Sequence, residues 1–375
     1  MPLDMPRSPS ATSYTREMSL RWTSTTTQIH RSKMSFQISS LPTISAVFLL
    51  VLSSLFLTLG KTAPAHGSST ITAICSSHDH PNPLAESFPN SATGVLNATL
   101  AIIPISLELA RRLVPPQYGI LEKAYRALLP NFPEGMYPVM VQAAHDHDVQ
   151  FRAYGIRIDD FSRVGFEFPF LDFIGDGYSS FRWAPAQLIS ADNDIALEGS
   201  RAYGTIVSPA EYEPQCDAYS ALPDGVTTYF KGTSLTSSEF IEVEMKRLGS
   251  FASSENPYPL ELFKNITNQP TFANGTSCDN MIRLFNTTMS TGDHAPNAVQ
   301  GKVRAKTSFL LGGSEKEWND VFGIQIATPF IENNYLDCGS MRGYSGTGGP
   351  GDSYFPTNEE EERLVDDNHS SNDDL

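Results

Sequence analysis

The chain has 375 residues, 40% of them hydrophobic, and a net charge of −16. This length and apolar content suit one large core, while the acidic balance and the lack of Lys/Arg clusters exclude nucleic acid and anionic membrane surfaces as natural partners. Eight acidic residues against the single Arg363 from Glu359 onward place nearly half of the charge in the C-terminal tail.

Residues 1–33, rich in Ser, Thr and Arg, read as a disordered leader or an upstream extension of the reading frame. Residues 34–65 have a signal-peptide layout: Arg31 and Lys33 precede the apolar run Ile44 to Leu59, and Ala63-Pro64-Ala65 follows it. The expectation is a secreted chain, free of the membrane once cleaved. The alternative is a signal-anchor retained in the secretory-pathway membrane, since the run falls only a little short of a bilayer span. Residues 66–89 lack an apolar period and read as a linker, residues 90–340 as the folded domain, and the Gly-rich and acidic residues 341–375 as disordered.

Within the domain, Thr99 to Ile105 predicts a buried strand. The spacing of Leu107, Ala110 and Val114 predicts a helix over Leu107 to Leu113, stopped by Pro115-Pro116, and a second helix is expected over Ile120 to Leu129. The pattern then turns to strands: Tyr137 to Ala144, Gln150 to Ile158, Arg163 to Ile174 and Tyr178 to Ile189, separated by turns such as Gly175-Asp176-Gly177. Further strands are expected at Thr227 to Lys231, Phe240 to Arg247, Val299 to Leu311 and Val321 to Ala327. A long β series after a short helical entry predicts a mainly β (α+β) fold, an antiparallel barrel or curled sheet with few peripheral helices. Ser250 to Thr291, rich in Asn, Pro, Ser and Thr, reads as a glycosylated surface excursion with a short helix near Tyr258 to Phe263.

Four cysteines in an oxidising compartment predict two disulfides. Of the three possible pairings, Cys75 with Cys338 and Cys216 with Cys278 is favoured, because it ties the ends of the domain together. Sequons at Asn97, Asn265, Asn274, Asn286 and Asn368 mark candidate glycosylation sites. No metal centre or cofactor is expected, and no nucleophile elbow, P-loop or dinucleotide fingerprint occurs.

The segment D-N-D-I-A-L-E-G-S-R-A-Y-G-T-I-V-S, Asp192 to Ser208, resembles the active-site segment of acetoacetate decarboxylases. The order of other pieces agrees: Leu109 to Pro115 for the family's L-x-x-x-V-P, Ala144-His145-Asp146, Phe166-Glu167-Phe168, Gly175-Asp176-Gly177, and Trp183 to Asp194. The resemblance implies an acetoacetate decarboxylase-like barrel from about Thr99 to Val207, extending through the strand at 299–311. Asn193, Asp194, Gly199, Arg201, Tyr203 and Gly204 fit, but Ile206, Val207 and Ser208 stand where the family has Pro-Lys-Lys. Val207 at the place of the reactive lysine can form no imine, so Schiff-base decarboxylation is not expected. No arginine lies between Asn90 and Leu100 to clamp a carboxylate, and Met140, Val141 and Gln142 occupy the region of one family glutamate.

Glu167 is the candidate acid/base, with Arg201 and Tyr203 as candidate orienting groups. Strict alternation sets Phe166, Phe168 and Phe170 on one face and Glu167 on the other, so Glu167 either faces solvent or, in a barrel, a lumen. Arg201 has an alternative role in pairing with Glu198 or Asp194. His145-Asp146-His147-Asp148 reads as a solvated loop, and Lys306 as a surface lysine sharing its face with Arg304. The leading reading is a secreted pseudoenzyme glycoprotein whose barrel holds a small apolar carbonyl or carboxylate ligand. The alternatives are a lyase or hydrolase of altered mechanism built on Glu167, and a structural surface glycoprotein.

Overall fold

The computed structural model describes residues 81–251, 255–292 and 295–344. The leader, the signal-like segment, Cys75, Asn368 and the tail after 344 lie outside these residues. In chain order the elements are β1 (Ala92–Ser106), α1 (Leu107–Leu113), β2 (Gly119–Ile120), α2 (Glu122–Leu128), β3 (Met136–Phe151), β4 (Ile156–Arg157), β5 (Phe161–Asp172), β6 (Phe181–Trp183) and β7 (Ala186–Ser190). There follow α3 (Asp194–Ala202), β8 (Ile206–Glu213), β9 (Ser220–Ala221), β10 (Thr227–Ser234), β11 (Phe240–Ser250) and α4 (Leu260–Asn268). The chain continues through β12 (Thr271–Phe272), β13 (Cys278–Arg283), β14 (Asn297–Lys306), α5 (Ser308–Leu311) and β15 (Glu315–Leu336). The mainly β architecture with few helices is as the sequence indicates. No helix among the described residues is long and apolar enough to cross a membrane.

Hydrogen bonding closes the strands into two rings that share a wall. One ring runs β5-β7-β8-β10-β11-β14-β15-β1-β3 and returns to β5. The other runs β13-β12-β6-β5-β3-β1-β15 and returns to β13. The strands β15, β1, β3 and β5 therefore have a lumen on each face. Since side chains alternate along a strand, β5 sends Val164, Phe166 and Phe168 to one side and Arg163, Gly165 and Glu167 to the other. Gly323 lets β15 press against β1, for a Cβ there would sit 2.2 Å from the Leu100 carbonyl oxygen.

Local signals explain the helices and breaks. The Ser106 hydroxyl accepts a hydrogen bond from Leu109 N at 3.1 Å and caps α1, which carries Glu108 in its first turn and Arg111 and Arg112 in its last. The strand expected over Tyr178 to Ile189 divides at Ala184-Pro185. Both halves pair with β5, but β6 then joins β12 in the seven-stranded ring and β7 joins β8 in the nine-stranded one. Conversely, the strand expected at 137–144 runs on unbroken to Phe151 as β3, because β1 offers a partner along almost its whole length, whereas the strand expected at 150–158 is broken by a tight turn at Arg152–Tyr154 and leaves only the short β4, which folds back on β3.

Three expectations are corrected. The stretch from Ser250 to Thr291 is not an excursion: α4 buries Leu262, Phe263 and Ile266, and β12 and β13 close the seven-stranded ring. The linker boundary at 89 is too late, since Leu84 packs with Ile282, Leu284 and Ile331, and Asn82 Nδ2 donates to Thr93 Oγ1 at 3.0 Å. The favoured disulfide pairing is replaced by Cys278–Cys338, spanning 60 residues and fastening β13 to the end of β15. Cys216 is also disulfide-bonded.

Removing a crosslink that closes so long a loop should be costly. Cys278→Ser is expected to lower the unfolding free energy by about 4 kcal/mol, read as a fall in the urea midpoint. An unchanged midpoint would show that the ring closes without it.

Candidate functional site

The register of the shared wall gathers charges inside the seven-stranded ring. β3 and β5 pair Gln142 with Gly165 and Ala144 with Arg163, which places Gln142, Asp146, Arg163 and Glu167 on one face. β15 pairs Glu332 with Met281 and Phe330 with Arg283. Thr271 lies between Arg182 and Asp279 in the β6-β12-β13 ladders. Three arginines and four carboxylates thus meet on strands whose other neighbours are mostly apolar.

Arg163 holds Asp146 with two hydrogen bonds, at 2.7 and 3.3 Å. Arg182 Nη1 lies 3.2 Å from Glu167 Oε2, and its Nη2 donates to Thr271 Oγ1 at 2.7 Å. Gln142 links two of the charges, donating to Glu167 Oε1 at 3.3 Å and accepting from Arg283 Nη2 at 3.1 Å. Arg283 Nη1 donates to the Thr267 carbonyl, which anchors the guanidinium to the end of α4. Arg283 is only 1% exposed, yet its Nε has no hydrogen-bond partner, nor has Asp279 Oδ1. Such unmade bonds inside a fold are expensive, and both belong to the lining of this ring.

The carboxylates do not titrate alike. Burial raises the Asp279 carboxyl to about 6, opposed by Arg182, Arg283 and Arg163 and by a hydrogen bond from Glu332. Burial, reinforced by the Asp279 charge, lifts Glu332 well above the ordinary carboxylate range. Burial thus favours the neutral form of Glu332 in a cluster of four carboxyl groups and three guanidiniums. Burial and the neighbouring Arg182 and Arg163 push Arg283 down to about 9, still cationic at neutral pH. Burial also disfavours the charge of Arg182, whereas for Arg163 the contact with Asp146 outweighs burial and raises it.

Tyr203 is held against the end of β15. Its hydroxyl donates to Asn334 Oδ1 at 2.9 Å and accepts from Tyr335 N at 2.9 Å, and the rings of Tyr203 and Tyr335 stack at 4.8 Å. Burial, then the charges of Asp279 and Glu332, raise its phenol. Gly204, at φ +86°, allows the approach of Asn274, whose side chain a Cβ would meet at 2.3 Å.

The other expected site residues fall elsewhere. Glu167 does not face solvent: it is 2% exposed and committed to Arg182 and Gln142. Arg201 lies on the exposed side of α3 and pairs with Glu198 at 2.5 Å, so it does not join the cluster. Val207 pairs with Gln187 and packs with Ile189, Ala196 and Leu197 beneath α3. Lys306 follows the outward face of β14 with Arg304, whose guanidinium holds Glu242 at 2.8 Å. Among the described residues no lysine stands in the cluster. His145 and His147, expected in a solvated loop, are buried in β3, His145 Nδ1 lying 3.0 Å from Ser162 Oγ. Among the described residues no three His, Cys, Asp or Glu side chains are placed to hold a metal. Of the sequons, Asn274 and Asn286 are exposed and Asn265 is half-buried. Asn97, only 4% exposed in mid-β1, has no room for a glycan.

Arg163, Arg182, Arg283, Asp279 and Glu332 were not singled out from the sequence, and Asp146, expected in the solvated loop with His145, is 1% exposed in β3. Their signal is a charge set among apolar neighbours within a strand, as in F-R-W and I-R-L. Such a charge must be paired when buried.

No family model matches the chain, and no curated protein matches it. Solved structures do. The enduracididine biosynthesis enzyme MppR with bound HEPES is 10% identical at a TM-score of 0.37, covering 74% of this chain and 95% of its own. An acetoacetate decarboxylase-like enzyme from Sphingomonas wittichii RW1 is 9% identical at 0.33, covering 70% and 98%. MppR complexed with the condensation product of pyruvate and imidazole 4-carboxaldehyde is 8% identical at 0.34, covering 74% and 99%.

Because the folded state binds protons at Asp279 and Glu332 that the unfolded chain releases near pH 4, their contribution is complete below that pH. It is lost as pH rises through about 6 for Asp279 and higher for Glu332. The difference in urea midpoint between wild type and Glu332→Gln should therefore shift in favour of the variant as pH is raised from 4 to 8. A pH-independent difference would contradict the raised proton affinity of Glu332.

Proposed function

We propose that the chain is a secreted glycoprotein with an acetoacetate decarboxylase-like fold, and that its seven-stranded ring binds a small carbonyl-bearing carboxylate without Schiff-base chemistry. The observation that carries this reading is Arg283: a guanidinium buried at the centre of the cluster with Nε unengaged. Arg182 and Arg163 add positive potential around it, and a planar guanidinium suits a carboxylate. Glu332, whose neutral form burial favours, supplies a donor for a ligand carbonyl in that form, and the apolar neighbours of the ring suit a short carbon skeleton. The signal-like segment, the disulfides and the exposed sequons at Asn274 and Asn286 support secretion and glycosylation.

The position of the family lysine supports the absence of imine chemistry, since Val207 packs under α3 and has no amine to offer. A second reading, a lyase of altered mechanism, is favoured by the proton held between Glu332 and Asp279. In that reading Glu332, rather than the ion-paired Glu167, delivers a proton to the ketone oxygen of a β-keto acid as the bond to the carboxylate breaks and CO2 leaves, the enol product then becoming the ketone.

Pyruvate and acetoacetate provide the test. Borohydride treatment with either is expected to leave the mass of the full chain unchanged, and calorimetry should show saturable pyruvate binding. Arg283→Met, with folding verified by near-UV circular dichroism, should weaken that binding about tenfold or more, as for loss of a charged hydrogen bond. A reduced lysine adduct, or equal affinity in the variant, would overturn the reading.

A further inference from the structure

The apolar face of the shared wall leads to a separate space. In the nine-stranded ring a cavity of about 270 Å³ is lined by Val164, Phe166, Leu188, Ile206, Ile241 and Leu310, with Gln187, Ser208, Glu239, Thr307 and Ser308 as its polar members. The short helix α5 caps it: Phe309 packs against Phe168 at 5.9 Å and Trp183 at 5.3 Å, while Glu239 Oε1 accepts from Ser308 N. With Glu239 serving the first turn of α5, the hydroxyl of Thr307 makes no cap. Thr307 is 9% exposed, and its Oγ1 has no hydrogen-bond partner. At the rim Ile206 is 66% exposed, an unusual position for a large aliphatic side chain.

These observations are independent of the charged cluster, which lies on the opposite face of β5. We propose that this cavity is a second ligand site, for a small neutral, largely aliphatic molecule bearing one oxygen, which Thr307 binds. Its apolar walls gain from displacing water, and a single buried hydroxyl fixes the orientation of one polar atom. Glu239 at the same cavity repels anions, so the ligand is neutral where that of the other ring is a carboxylate. Taking about 30 Å³ for each water-sized unit, the space admits a ligand of about nine non-hydrogen atoms. A medium-chain ketone has this size and chemistry. The occurrence of Ile206 and Ser208 on this face, with Val207 turned toward α3, makes the stretch that replaces Pro-Lys-Lys part of the wall of the new site.

The probe is 2-octanone, with octanoate as its charged counterpart, titrated into the full chain by calorimetry and ligand-observed NMR. Saturable binding of 2-octanone is expected, with octanoate about tenfold weaker or worse. Thr307→Val keeps the shape and removes the hydroxyl, and should weaken 2-octanone about threefold to tenfold. Ser208→Phe should abolish binding by filling the space, while Arg283→Met should leave it unchanged. If 2-octanone does not saturate the wild type, if Thr307→Val binds it equally, or if octanoate binds as tightly, the proposal fails. Loss of 2-octanone binding in Arg283→Met would likewise assign it to the other ring.

Discussion

Three guanidinium groups cannot be taken out of water without anions beside them, and this constraint organises the seven-stranded ring. Each arginine occurs on a different strand, Arg163 on β5, Arg182 on β6 and Arg283 on β13. Their partners come from β3, β5, β12 and the end of α4. The polar contacts therefore cross between strands, and they specify how the small closing strands sit against the long ones. A buried ion-pair network is weak evidence for net stability. It is better evidence for a defined arrangement, and here it leaves Arg283 Nε and Asp279 Oδ1 unengaged.

The same wall faces two interiors of opposite character. Along β5 the sequence R-V-G-F-E-F alternates charge or glycine with apolar side chains, and closure on both sides means neither face is spent on solvent. One side becomes the arginine-carboxylate lumen. The other contributes Val164 and Phe166 to an apolar cavity with one idle hydroxyl. The position that resembles the family lysine belongs to neither lining, because Val207 packs beneath α3.

Local pattern made much of the fold legible: α1 has the expected limits, and the alternating aromatic runs became β3, β5 and β11. Tyr203, a candidate from the Asp192 to Ser208 segment, is held by Asn334 and the Tyr335 backbone near the end of β15. What failed were judgments that depend on distant pairing. Ser250 to Thr291 has the composition of a loop, yet C-D-N-M-I-R supplies the strand that closes a ring, and its cysteine pairs with Cys338. His145 lies in a string of polar residues but is buried because β1 and β5 flank it. Arg201 and Arg283 are indistinguishable by residue type. One lies three residues from a helical glutamate and the other at the end of β13 opposite Phe330, a difference only strand register reveals.

The central claim is that Arg283 presents an unengaged Nε–H to a carboxylate inside the seven-stranded ring. The most direct measurement follows the Arg283 Nε–H resonance, assigned by its loss in Arg283→Lys, in ¹⁵N-labelled protein as pyruvate is added. The account predicts a progressive, saturable shift of that resonance with slowed solvent exchange. A resonance that stays fixed at pyruvate concentrations saturating the protein would contradict it.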